Sequence, residues 1–445
     1  MMPRSFRTFR VFALLAVPAL ALGAICAFAA VVGTNVAALP LTEERIAALP
    51  RAQQSAWRQY LARSVAQMQN DRAALQAEMK RAGLSVPLIP PGASAAKSIP
   101  LDKPAEWYAG AEARRIADIV VSFQTPAGGW SKNLNLTDHP RRPGEHFAGI
   151  NASPVPGVAD FDTSMDPKWE YVGTLDNDAT TTEIRFLAKV AAAAGGKGKD
   201  ADAWRASFLR GIEYILAAQY PNGGWPQIWP LQGGYHDAIT FNDDAMTKAM
   251  DVLLDASDGS AEFATVPAEV RARAKVAVMK GIETTLATQI VVKDRMTAVN
   301  ERTAWGQQYD MLDLKPVGAR NYEPPSLSSG ESASIMLFLM KLPKPSPAVV
   351  DAVRAAAAWL KRTAVYGKAF ERGPNGRTLT TREGAGPVWS RFYEIGADRA
   401  IFGDRDKSIH DDVNEISLER RNGYSWYNAG PQAALDRYVE WNASH

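Results

Sequence analysis

Between residues 41 and 83 apolar positions recur at helical spacing. Trp57, Leu61, Val65, Met68, Leu75 and Met79 stand among Arg, Gln and Glu, which predicts a long amphipathic helix. Residues 86–104 then crowd together Pro87, Pro90, Pro91, Pro100 and Pro104 with Ala and Ser. Proline lacks an amide donor and clashes with a preceding helical turn, so this stretch reads as a linker. From Ala105 onward helical periods alternate with long polar loops. The pattern predicts helices over roughly 106–124, 178–194, 202–219, 243–256, 267–289, 330–342, 346–364 and 431–442. Asp178, Asp202 and Asp243 stand where an N-cap or first-turn acid is favoured. The strong strand signal is late: 368–372 and 377–381 flank Gly373-Pro374-Asn375-Gly376, a hairpin turn.

An internal repeat organises these helices. Gln124-Thr-Pro126-Ala-Gly128-Gly129-Trp130 matches Gln219-Tyr-Pro221-Asn-Gly223-Gly224-Trp225, 95 residues further on. Each copy ends a predicted helix: proline stops it and the glycine pair makes a tight turn. A second echo, Asp176-Asn177-Asp178-Ala179 against Asn242-Asp243-Asp244-Ala245, introduces a helix each time. Recurring helix pairs with loops on one side predict a mainly α fold, an (α/α) toroid-like barrel with long loops and a small β-hairpin near its C-terminal part. Trp130 and Trp225 then either plug the barrel mouth as core or stand in a cleft.

The first 30 residues have the form of a secretory leader. Arg4, Arg7 and Arg10 precede a chargeless run over 11–33, and Ala27-Phe28-Ala29 supplies a cleavage site. The run is also long enough to act as a retained anchor, the one way in which a membrane would enter. Cys26 follows Ile25, which is not a lipoprotein context, and it is the chain's one cysteine. Disulfide scaffolds and cysteine metal sites are thereby excluded. The expected organisation is a leader over 1–30, a helical extension and linker over 31–104, and the toroid over 105–445. With Lys+Arg at 50 and Asp+Glu at 48, nothing calls for nucleic acid.

The candidate chemistry lies on loops. Asp176, Asn177, Asp178, Asp237, Asp243 and Asp244 cluster near helix starts, where carboxylates either cap helices or hold a hard cation. The five histidines show no zinc-hydrolase spacing, and nucleotide-binding glycine loops and nucleophile elbows are absent. Arg372, Arg377, Arg382, Arg391, Arg399 and Arg405 fall within 34 residues, interleaved with Trp389, Phe392, Tyr393 and Phe402. Guanidinium groups pair with carboxylates and stack on rings, which suits a polyanion of sugar acids. Surface ion pairing is the competing explanation for any one of them.

These motifs together resemble the pectate lyases of polysaccharide lyase family 10. The stretches that carry the resemblance are 123–133, 174–183, 219–227, 235–243, 320–327 and 388–396 (Val-Trp-Ser-Arg-Phe-Tyr-Glu-Ile-Gly). It covers about residues 105–442 and leaves out the leader and extension. It implies an (α/α) toroid and calcium-dependent β-elimination on polygalacturonate; the leader adds the expectation of export to the periplasm or medium, and a monomer is expected. The calcium ligands it implies are Asp176, Asn177 and Asp237, with Asp243 close to the last. The base it implies is Arg391, with Ser390 a minor departure from the motif. Lys132, Arg320 and Arg377 are expected to meet uronate carboxylates, and Trp130 and Trp225 to line sugar rings or support loops. An arginine base is awkward because its pKa exceeds about 12; calcium and neighbouring cations such as Lys132 or Arg377 are expected to disfavour its charge. Two rivals remain: a terpenoid-cyclase-like enzyme, which the loosely similar Gln/Trp repeats suggest but which lacks its acid box, and a non-catalytic polyuronide-binding protein.

Overall fold

A computed structural model describes residues 31–90, 99–148, 161, 172–195, 198–259, 261–293 and 299–445. The predicted leader and the middle of the proline-rich stretch lie outside them. Eleven α-helices form among the described residues: α1 (Glu43–Ala47), α2 (Arg51–Arg81), α3 (Ala111–Ser122), α4 (Thr181–Ala193), α5 (Lys199–Ala218), α6 (Ala245–Asp258), α7 (Ala268–Thr288), α8 (Ser329–Leu339), α9 (Pro347–Arg362), α10 (Leu418–Gly423) and α11 (Pro431–Asn442). The eight helices expected from periodicity are all present, with ends moved by a few residues.

The helices are arranged as an (α/α) toroid. α3, α5, α7 and α9 pack successively as an outer row, and α4, α6, α8 and α11 as an inner row. The inner α8 buries Ile335, Met336, Phe338 and Leu339 and shows no polar stripe, as a helix enclosed on all sides should. Outer α3 and α9 bury one face each, through Ile116 and Val120 and through Val353 and Trp359.

The repeat read from two motifs has four copies. After each outer helix the chain folds back on itself through a bond that recurs in all four copies: Thr125 N to Gly129 O, Tyr220 N to Gly224 O, Ile290 N to Ala304 O and Val365 N to Val388 O, at 2.9, 2.8, 2.9 and 2.9 Å. A tryptophan follows each time. Trp130, Trp225, Trp305 and Trp389 are fully buried, and their indole N–H groups donate to Val120 O, Ile215 O, Thr285 O and Leu360 O at 2.7–2.8 Å. Each ring thus supplies a donor to a carbonyl at the open end of its own helix. Gln124, Gln219 and Gln289 donate across to the next outer helix, to Ser207 O, Ala277 O and Ala352 O, each at 2.9 Å. The glycines allow that approach: a Cβ at Gly128 would lie 2.7 Å from Arg210 O, and one at Gly223 2.4 Å from Lys280 O.

The tryptophan result corrects one expectation. Trp130 and Trp225 cannot line sugar rings, because both faces and the N–H of each are enclosed by the helix pairs they close.

The predicted hairpin is present as Lys368–Gly373 and Gly376–Thr381, and it is the enlarged turn of the fourth copy. An antiparallel five-stranded sheet runs in the order Val31–Thr34, Ser408–His410, Ala400–Gly403, Phe392–Tyr393, Leu327–Ser328.

The extension packs against the toroid. Trp57 and Tyr60 on α2 stack on Tyr220, with ring centroids 5.3 and 4.7 Å apart, and Tyr60 donates to Ala218 O at 2.8 Å. Further along α2, Leu75 joins Phe147, Val172 and Ile228 in a smaller core. The buried face also carries Ser64 and Asp71, while Val65, placed on the apolar stripe by spacing, is 39% exposed. No described helix is long and apolar enough to cross a membrane.

Candidate active site

The inner-row helices begin at one rim, and the chain reaches each start by hanging from a repeat tryptophan. Thr174 N, Thr240 N and Ser328 N donate to the carbonyls of Trp130, Trp225 and Trp305 at 2.9, 3.0 and 2.8 Å. Short 3-10 turns follow the first two, Asp176–Asp178 before α4 and Asn242–Asp244 before α6, and these turns pack on each other. Asn177, Asp178, Asp243 and Asp244 all take positive φ, between 51 and 66°. Asn and Asp tolerate that region best among side-chain-bearing residues, which accounts for their presence here. The turned backbone aims Asp176 and Asp243 at each other instead of at helix amides, so neither acts as an N-cap. Asp178 turns to Lys248.

These turns floor a polar cleft of about 430 Å³. Lys132, Asp176, Asn177, Asn242, Asp243, Gln307 and Gln308 line one part of it, and Arg320, Tyr322, Glu323, Arg405, Arg420 and Tyr424 the other. Asp176 and Asp243 lie close enough for each carboxyl to feel the other's charge. Burial pushes both carboxyls up. At Asp176 the Lys132 ammonium, the Asp243 proton and Arg320 outweigh it, and the group stays below its ordinary value. Asp243, facing the Asp176 charge, is pushed up to about 7. Two facing carboxyls, one of which ionises reluctantly beside the other, form a site whose repulsion a cation would relieve.

The residues present fit such a cation. Asp176 Oδ1, Gln307 Oε1 and Gln308 Oε1 are buried without a hydrogen-bond partner, which is costly unless a ligand satisfies them. A set of carboxylate and amide oxygens without sulfur or imidazole is the donor chemistry of calcium. No cluster of three His, Cys, Asp or Glu that could hold a metal occurs among the described residues, so amide oxygens must complete the set.

Asp237 does not belong to it. Its carboxylate accepts from Gln232 N, Gly233 N and Leu41 N at 3.1, 2.8 and 3.3 Å, and it is 2% exposed. Burial pushes it up to about 6 against those three bonds. It ties together the loop carrying Tyr235, and Asp243 is the acid that meets Asp176.

Arg391 reaches the cleft floor. Its Nη2 donates to Asn242 Oδ1 at 2.9 Å and lies 3.3 Å from Glu331 Oε1. Its guanidinium sits 4.4 Å from the Tyr424 ring centre, and its buried Nε has no partner. Burial opposes the charge, but Tyr424, Glu331, Glu323 and Asp243 hold the group above its usual range. Of the cations expected to disfavour this charge, neither Lys132 nor Arg377 is among the groups that shift it most; the acids around Arg391 favour the charge instead. Ser390 is buried and donates to Phe392 O at 3.1 Å, a structural role.

The other wall is cationic. Arg320 clasps Glu323 with two bonds of 2.9 and 2.6 Å. Arg320, Arg405 and Arg420 gather around the Tyr322 ring at 5.1, 5.0 and 4.3 Å, and Tyr424 donates to Glu323. Arg377 is absent from this wall. It lies on the hairpin, where its Nη1 reaches Tyr424 O at 3.4 Å, so it supports the wall from behind.

Sequence reasoning missed Arg420, Tyr322, Tyr424, Gln307 and Gln308 as site residues. Only Asp243 had a usable signal, the echo between its turn and that of Asp176.

A toroid with an acid pair, a buried arginine and an arginine-lined cleft defines a protein that handles polyanions at its rim. The profile of the pectic acid lyase family matches residues 124–435, and the chain belongs to that family. Among solved structures it is similar to a family 10 polysaccharide lyase from Cellvibrio cellulosa, at 33% identity and a TM-score of 0.61, over 78% of this chain and 99% of that one. It is equally similar to a mutant of that lyase in complex with trigalacturonic acid, at 33% identity and a TM-score of 0.62, over 77% and 99%. No curated protein matches.

Proposed function

We propose that the chain is an exported, calcium-dependent pectate lyase that cleaves polygalacturonate by β-elimination. The observation that carries this reading is that Asp176 and Asp243 line one cleft with a cationic wall, with Arg391 directly beneath its lining, bonded to Asn242. The trigalacturonic acid bound by the mutant relative supports a polyuronide as substrate. The basic and apolar leader supports export, with cleavage after Ala29.

Asp176, Asn177 and Asp243 would hold calcium, with the side-chain oxygen of Gln307 nearby in the same lining. When bound, the cation would neutralise the acid pair and a uronate carboxylate, which weakens the field that keeps Arg391 charged and acidifies the uronate C5–H. Lys132, Arg320, Arg405 and Arg420 would pair with uronate carboxylates and fix the chain along the wall. Arg391 would first release a guanidinium proton to water and then, as the neutral base, take the proton from C5. The electron pair forms the C4–C5 double bond, the C4–O bond breaks, and the leaving oxygen takes a proton from water. Charge that develops on the carboxylate beside C5 is met by the same cationic groups.

A second reading, a polyuronide-binding protein without turnover, is favoured by one observation, the acids that hold Arg391 charged. Incubating the purified chain with polygalacturonate separates the two. Calcium-dependent ultraviolet absorbance from unsaturated product supports the lyase. Binding of trigalacturonate without product would reject it.

A further inference from the structure

Residues 31–46 lie outside the matched family region, yet they touch three loops of the cleft. The strand Val31–Thr34 extends the sheet along Ser408–His410. Asn35 follows, 3% exposed. Its backbone N–H donates to Lys407 O at 2.8 Å. Its side-chain amide donates to Arg320 O at 2.9 Å and Asn321 O at 3.0 Å, and its Oδ1 accepts from Val36 N. Asn321 in turn donates to Arg405 O at 2.8 Å. Asn35 therefore stands between the two loops that deliver Arg320 and Arg405 to the cleft. The seat is tight: a Cβ at Gly318 would lie 2.4 Å from Asn35 Oδ1. Farther along, Leu41 N donates to Asp237, and Arg45 pairs with Asp310 at 2.5 Å, behind Tyr235 and behind Gln307 and Gln308.

We propose that residues 31–46 are a strap that sets the geometry of the polyuronide cleft, and that Asn35 is its positioning residue. The inference rests on the polyuronide reading of that cleft. Only the far end of the strap joins the core, through Leu41 and Ile46; around Asn35 it is thinly packed, with Val31, Val36 and Leu39 60, 69 and 59% exposed. Its polar bonds go instead to the loops that carry the cationic wall. Removing the two amide bonds frees the Arg320 and Asn321 carbonyls and lets Arg320 and Arg405 move apart. Small displacements of this kind reduce the binding of a multidentate anion. Cleavage after Ala29 would leave the strap on the mature chain.

The test uses the full chain carrying Asn35→Ala, and separately Gly318→Ala, which crowds the same seat from the other side. Both variants are expected to raise KM for polygalacturonate by about tenfold, the effect of losing about one hydrogen bond's worth of positioning, with kcat changed less than twofold. Trigalacturonate affinity measured by calorimetry is expected to fall by the same factor. Asn35→Ser, which keeps a donor, should lie between if Asn35→Ala does not fold. Wild-type KM and affinity in the folded variants overturn the strap, as does an equal fall in kcat with KM unchanged. Tight trigalacturonate binding by the unmodified chain without product overturns the lyase reading and leaves the strap standing. No binding by the unmodified chain overturns both.

Discussion

Asp71 sits on the buried face of α2, fully enclosed, where Gln67 donates to one carboxyl oxygen and the other has no partner. Burial pushes its pKa from 3.8 up to about 7, and the Gln67 bond offsets this only in part. The fold therefore binds a proton that the unfolded chain releases. Stability from this group is complete below pH ~4 and is lost as pH rises toward 7. At 1.36 kcal/mol per tenfold in proton affinity, the loss has a ceiling of about 4 kcal/mol, and of about 2 if water partly reaches the open oxygen. Asp71→Asn keeps the acceptor for Gln67 and cannot ionise. Its thermal midpoint relative to the unmodified chain should be near zero or slightly negative at pH 4. It should be several degrees higher at pH 8. A shift of the same size at both pH values, or a lower midpoint at pH 8, would refute the reasoning.

The remaining predictions separate chemistry from support. Arg391→Ala should abolish product formation, with trigalacturonate affinity reduced less than tenfold; retained turnover by this variant would remove Arg391 from the chemistry. Asp243→Ala should lower calcium affinity, read by calorimetry, by at least tenfold, whereas Asp237→Asn should leave calcium affinity intact and destabilise the fold by about 1–3 kcal/mol through its three backbone bonds. The opposite pattern would return Asp237 to the metal site. Trp225→Ala should cost about 3–5 kcal/mol in denaturant unfolding and leave KM unchanged well below the transition, because its ring closes a helix pair. A KM effect without loss of stability would place the ring against substrate.

The helical fold was legible because periodicity and proline–glycine punctuation are local. Two copies of the repeat could be seen because Trp130 and Trp225 stand six positions after Gln124 and Gln219. The third was hidden because Trp305 stands sixteen positions after Gln289. The fourth was hidden because the hairpin at 368–381 is inserted before Trp389. For the tryptophans, core and cleft stayed open alternatives, since an indole on a turn carries no sign of which side is filled; the next outer helix decides for the core. Asp176, Asn177, Lys132, Arg320 and Arg391 do meet at the cleft or its floor. Asp237 and Arg377 do not, because motif spacing says nothing about whether a carboxylate faces backbone amides or a guanidinium lies behind a wall. The cationic cluster around Tyr322 joins residues up to about 100 positions apart, a contact that only the closed toroid creates.

The most direct measurement follows unsaturated uronide by ultraviolet absorbance, with the purified full chain on polygalacturonate, in calcium and then in excess chelator. The account predicts a rise in calcium that stops on chelation and is absent in Arg391→Ala. A folded chain that binds trigalacturonate in calcium and makes no unsaturated product, or one whose Arg391→Ala variant makes it at the same rate, would contradict it.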